Sequence, residues 1–141
     1  MSGLVVAPVL VALVTAVLVL LARPSDRLQR ALSLAGGGAY LVAVAALARA
    51  VFGPPGALAP TTLVYRVGDW PAPFGIVLVA DALAAFLLVL AGVVSLASLA
   101  YALVDVDAEG QRLSFHPLYH FMIVGVSGAL LTGDVFNLFV W

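Results

Sequence analysis

Residues 4–22 read LVVAPVLVALVTAVLVLLA, without a charged side chain, and the next two are Arg23-Pro24. A helix needs about 20 apolar residues to cross the roughly 30 Å hydrocarbon core of a bilayer. A run this long has no polar face to turn toward water, whereas in lipid a helix needs none, because its backbone groups satisfy one another. A secretory signal would add a positively charged start and a small-residue cleavage site. Here Met1-Ser2-Gly3 carries no basic side chain and Arg23-Pro24 stands where cleavage would fall, so the segment is expected to be a retained first span.

Further apolar runs occupy residues 31–52, 75–104 and 115–131, and a short one covers 135–141. Hydrophobic residues make up 65% of the chain and charged residues 9%, with a mean hydropathy of +1.21, the composition of an integral membrane protein. Unbroken hydrophobicity favours helices, since a barrel strand would alternate apolar and polar residues over about ten positions. The expected fold is therefore an all-α integral membrane protein with four complete transmembrane helices, 4–22, 31–52, 75–104 and 115–131, plus the start of a fifth at 135–141. The third run, about 45 Å long at 1.5 Å per residue, should tilt or project from the bilayer. The seven residues 135–141 are too few to cross, so the chain is expected to be a fragment. Cysteine is absent, which removes disulfides and thiolate metal sites, and the net charge of -1 points to no nucleic-acid partner. All six basic residues are Arg, which with the heavy Ala, Val and Leu usage suggests a bacterial source.

Arg23, Arg27 and Arg30 crowd the first connection against Asp26, whereas Arg66 in the second is balanced by Asp69. The positive-inside tendency then puts the first loop in the cytoplasm and the N-terminus outside. The third connection, with Asp105, Asp107 and Glu109 against Arg112, must share the cytoplasmic side; acids count little in this rule. The outer loop 53–74 is rich in Pro and Gly at its ends. Its stretch Thr61-Thr62-Leu63-Val64-Tyr65-Arg66-Val67 before Gly68-Asp69 suits a short hairpin on the outer face. Trp70 and Phe74 would anchor at headgroup depth, with Pro71 and Pro73 keeping the chain extended until a helix starts near Gly75.

The run Gly68-Asp69-Trp70-Pro71-Ala72-Pro73-Phe74-Gly75-Ile76-Val77-Leu78-Val79-Ala80-Asp81 is followed by His120-Phe121, Gly125-Val126, Gly128-Ala129 and then Leu131-Thr132-Gly133-Asp134-Val135-Phe136-Asn137-Leu138-Phe139-Val140. In order and spacing these resemble the D subunit of the multisubunit Mrp-type sodium/proton antiporters. That family is similar to the antiporter-like subunits of respiratory NADH:quinone oxidoreductase (complex I) and of membrane-bound hydrogenases. The resemblance implies a protein of about fourteen helices with an outward N-terminus, whose later members include broken helices, as in many transporters. It implies a place in the bacterial plasma membrane, other complex subunits as partners, and Na⁺ and H⁺ as transported ions. It also implies that the fifth helix continues into an aromatic pair, of which Trp141 is the first, and then a Glu on which transport depends. That Glu would fall two residues past Trp141, so no catalytic residue is assigned within this chain.

The polar residues in or beside the spans are the remaining candidates for an ion pathway or a structural role. Asp134 precedes a helix and can cap its free N–H groups, or serve proton entry or assembly near the outer face. Asn137, three residues on, should point into the bundle and bond another helix, or line a hydrated path. Asp81 lies either about two turns inside the third helix or near the interface, where Arg49 at the end of the second span could pair with it. His116 and His120 are four apart and share a helix face at the cytoplasmic end, as interfacial histidines or as a proton relay. No Cys or adjacent Glu completes a metal motif around them, and no phosphate loop, dinucleotide fingerprint or nucleophile with a positioned base occurs. No metal, cofactor or enzymatic activity is therefore expected. Two other readings stay open: a proton-translocating subunit of a redox-driven complex, and a small membrane scaffold or assembly protein.

Overall fold

Long apolar helices carry most of the chain. The computed structural model describes residues 3–54, 59–70, 75–106 and 114–141. Pro71, Pro73 and Phe74 of the outer loop and Asp107, Glu109 and Arg112 of the third connection lie outside the described residues.

Helix α1 spans Gly3–Leu21 and α2 spans Asp26–Phe52. Ser25 caps α2 by accepting the Leu28 N–H, Asp26 occupies the first turn, and Arg49 occupies the last, the polarity that a helix dipole favours. The Gly53 N–H closes the helix on the Arg49 carbonyl at 3.0 Å. Because the cap lies at Ser25, Arg27 and Arg30 belong to the opening turns of α2 and not to a loop.

The apolar run from Gly75 does not enter a helix at once. Val77–Ala80 forms strand β2, antiparallel to strand β1, Leu63–Arg66, with Leu63 opposite Ala80 and Arg66 opposite Val77. This corrects two expectations: the fold is not purely α, and the third helix starts at Ala82 rather than at Gly75. The segment before Gly68-Asp69 also pairs with a later strand instead of closing on itself. The physical reason is local. Val77-Leu78-Val79 has the branched side chains that suit a pleated surface, and Asp81 is worth more as a cap than inside a helix. Leu78 and Ala80 turn into the bundle, at 2% and 0% exposure, while Val77 and Val79 face away.

Helix α3 then runs from Ala82 to Asp105, helix α4 from Phe115 to Leu131, and a four-residue helix α5 from Val135 to Leu138. The link between α4 and α5 adds itself to the hairpin edge: Thr132 bridges to Leu78, and the Gly133 N–H donates to the Val77 carbonyl at 2.8 Å. A Cβ on Gly133 would stand 2.9 Å from that same carbonyl oxygen, which is why this position needs glycine.

Helix α1 lies along both α2 and α4, and α3 packs on α2. Val5, Val9 and Ala12 of α1, Val44, Leu47 and Val51 of α2, Leu88 of α3 and Ile123 and Leu131 of α4 form one core with the inner face of β2. Gly36 and Gly37 serve two neighbours. A Cβ on Gly36 would meet the Thr15 side chain of α1, 2.8 Å from its Cβ, and one on Gly37 would stand 2.8 Å from Leu99 Cδ1 of α3. Helices α1, α2 and α3 are long and apolar enough to cross a membrane, and α4 is a shorter apolar helix. Large apolar side chains such as Val14, Leu21, Val42, Leu83, Phe86 and Val104 stay exposed, the surface expected of a molecule whose solvent is lipid.

Candidate functional site

The most polar interior surface lies between α2 and α4. Ser33 of α2 is buried between two imidazoles of α4: its Oγ is 3.0 Å from His120 Nε2 and 3.1 Å from His116 Nδ1. Two turns along, the Tyr40 hydroxyl lies 2.8 Å from Ser127 Oγ. Ser127 donates to the Ile123 carbonyl at 2.7 Å, so Tyr40 is the donor in the interhelical bond. Both bridges join residues separated by 87 positions, which makes α2 and α4 parallel and in register. At 1.5 Å per residue they lie about 10 Å apart along the bundle.

The two histidines, expected at an interface, are 0% and 2% exposed. Their spacing of four puts them on one helix face, and that face meets α2 at a side chain small enough to fit between two rings. Phe115 stands edge-on to His116 at 5.3 Å and Tyr119 edge-on to His120 at 6.1 Å, so aromatic rings close the sides of the pair. His116 Nε2 is buried and has no hydrogen-bond partner among the described residues. One turn before Ser33, buried Gln29 donates to the Val19 carbonyl of α1 at 3.3 Å, closing the same end of the bundle.

At the opposite end the carboxylates serve as caps. Asp81 accepts the Ala84 N–H at 2.7 Å and is exposed, and this contact, not an ion pair with Arg49, holds it. Asp134 accepts the Asn137 N–H at 2.7 Å at the start of α5, and the Asn137 side-chain amide donates to its second carboxylate oxygen. Asn137 is buried, 7% exposed, but it bonds within its own turn rather than to another helix, because three residues is the spacing that brings a cap and its turn together. The structure thus unites His116 and His120, unites Asp134 and Asn137, and leaves Asp81 and Arg49 apart. Among the described residues no three His, Asp or Glu side chains gather as a metal site would require.

No profile of a known protein family matches the chain. Individual relatives do. The D subunit of the Na(+)/H(+) antiporter of Alkalihalophilus pseudofirmus is 38% identical over 142 aligned residues, covering 100% of this chain and 27% of that protein. The D subunit of a probable K(+)/H(+) antiporter of Rhizobium meliloti is also 38% identical, over 100% of this chain and 26% of its own length. A chain in the solved structure of the Mrp complex from a Dietzia species superposes with a TM-score of 0.79 at 30% identity, covering 99% of this chain and 24% of that one. Over its full length the chain is similar to the D subunits of Mrp-type antiporters. It spans about a quarter of the length of the curated relatives it matches.

In this chain the residues whose pairing the sequence does not reveal are Gln29, Ser33, Tyr40 and Ser127. Each is a common residue type whose meaning depends on the opposing helix. A signal was present nonetheless: Ser33 and Tyr40 are seven apart, as are His120 and Ser127, so two polar pairs repeat with one helical face on each partner.

Proposed function

We propose that this chain is part of the membrane domain of a secondary cation/proton antiporter subunit that exchanges cytoplasmic Na⁺ for external H⁺. It works within a hetero-oligomeric complex in a bacterial plasma membrane. On this reading α1 to α4 are four complete spans, α5 opens a fifth, and the N-terminus is outside, so the Ser33–His116–His120 cluster lies at the cytoplasmic end and the hairpin at the outer end. The observation that carries the proposal is that the identity to antiporter D subunits runs the full length of this chain, not through an isolated motif. The seam between α2 and α4 supports it: polar side chains buried in a membrane bundle are costly, and they are retained where ions or protons move or where helices must be held in register.

The test uses the full complex in everted vesicles, with the proton gradient followed by a fluorescent weak base. Addition of Na⁺ should dissipate the gradient when the subunit is present and not when its gene is deleted. Dissipation by K⁺ and not by Na⁺ would replace the sodium assignment, and equal signals with and without the subunit would refute the transport role.

A further inference from the structure

We propose that His116, Ser33 and His120 form a proton relay between α4 and α2, with His116 Nε2 as its exit port toward the cytoplasmic end. The inference rests on the transport reading above and deepens it. A serine hydroxyl has one hydrogen and two lone pairs, so between one protonated and one bare ring nitrogen it accepts from the first and donates to the second. With Ser33 Oγ at 3.1 Å from His116 Nδ1 and 3.0 Å from His120 Nε2, the three side chains make a continuous hydrogen-bonded chain whose polarity follows the ring tautomers. In the tautomer that passes a proton toward the cytoplasmic end, His120 donates from Nε2, Ser33 donates to His116 Nδ1, and His116 Nε2 is buried with no partner among the described residues. A buried ring nitrogen that lacks a partner there has lost its hydration, which suits a site that takes up and releases protons.

Water supplies and closes the step. A hydronium ion gives a proton to His120 Nδ1 and becomes water, the Nε2 proton of the same ring passes to Ser33 Oγ, the original hydroxyl proton passes to His116 Nδ1, and the Nε2 proton of His116 passes to a water molecule at the cytoplasmic end. One proton enters, one leaves, and nothing is oxidised or reduced. Rotation of the hydroxyl and of the rings restores the starting arrangement. Among the described residues, the titratable and charged groups around the relay are Arg30 of α2, whose charge acts on His116, and Tyr119 of α4, whose hydroxyl is committed to the Ser95 carbonyl of α3. Burial of all three members keeps bulk water from short-circuiting the chain.

The experiment is performed on the assembled complex, with assembly checked by native electrophoresis, and reads antiport rate across a pH series. Ser33→Ala removes the link without adding bulk. Its rate should fall on the order of tenfold, the deficit should widen as pH rises and proton delivery becomes limiting, and Ser33→Thr, which keeps the hydroxyl, should recover activity to within about twofold of the parent. His116→Gln can keep a bond to Ser33 but offers no titratable port, and it should show the same pH-dependent deficit. A deficit of equal size at every pH would assign the cluster to packing and overturn the relay, as would a fully active His116→Gln complex, even if Ser33→Ala failed to assemble. A parent complex without cation-dependent exchange would refute the transport reading itself, whereas an active parent with an active His116→Gln variant would refute the relay alone.

Discussion

Asp81 and Asp134 show how much a single carboxylate's role depends on what lies one turn away. Each accepts the backbone N–H three residues on, at 2.7 Å, so each finds its partner in its own chain segment. Asp81→Asn should preserve the cap and leave antiport within about twofold of the parent, whereas Asp81→Ala should cost about 1 kcal/mol of stability, read as a lower melting temperature of the complex. A large transport loss in the Asn variant would assign the charge a role that the geometry does not require. Tyr40 is a second case. Its hydroxyl is the donor to Ser127, whose own hydrogen is engaged with Ile123, so Tyr40→Phe removes one interhelical bond while Ser127 keeps its other. The expected cost is about 0.6–1 kcal/mol with assembly retained, measured by thermal denaturation in detergent.

At the scale of elements, close approach and edge pairing set where helices sit. Gly36 lets the α1 and α2 backbones approach over Thr15, and a methyl group there would overlap that side chain. Gly36→Ala should therefore destabilise the bundle by about 1–3 kcal/mol and lower the yield of assembled complex, whereas Gly38→Ala, whose Cβ would meet nothing within 4 Å, should be neutral. Accumulation of both variants at equal levels would show that α1 and α2 can separate without cost. The hairpin teaches the complementary lesson. Periodicity assigns the residues from Gly75 onward to a helix because a buried strand and a buried helix both read as continuous apolar sequence. The distinction came from a distant partner: Val77–Ala80 is a strand because Leu63–Arg66 lies beside it, with Thr132 and Gly133 on its other edge.

For the whole molecule, the arrangement separates two chemically different ends. Arg23, Arg27 and Arg30 mark the end that holds the buried histidines, and the hairpin with Arg66 and Asp69 marks the other. The cysteine-free chain makes the orientation directly measurable. In right-side-out vesicles, a membrane-impermeant maleimide should label an Arg66→Cys variant and spare an Arg27→Cys variant, and everted vesicles should reverse the pattern. Labelling in the opposite sense would invert the proposed topology and move the relay to the external side.

Composition and run length sufficed for membrane residence and for a mostly helical fold, because lipid imposes its demand on every residue of a span and a sum over many residues is robust. The histidine pair was visible for the same kind of reason: a spacing of four is a property of one helix. Its meaning was not. That the pair is buried, that Ser33 stands between the rings and that one nitrogen has no partner among the described residues follow from the register of α4 against α2, which brings together Ser33 and His120, 87 residues apart in sequence. Val77–Ala80 as a strand was likewise decided by tertiary pairing. Local sequence settles which surfaces a helix offers, and only the packed structure settles which surface each one meets.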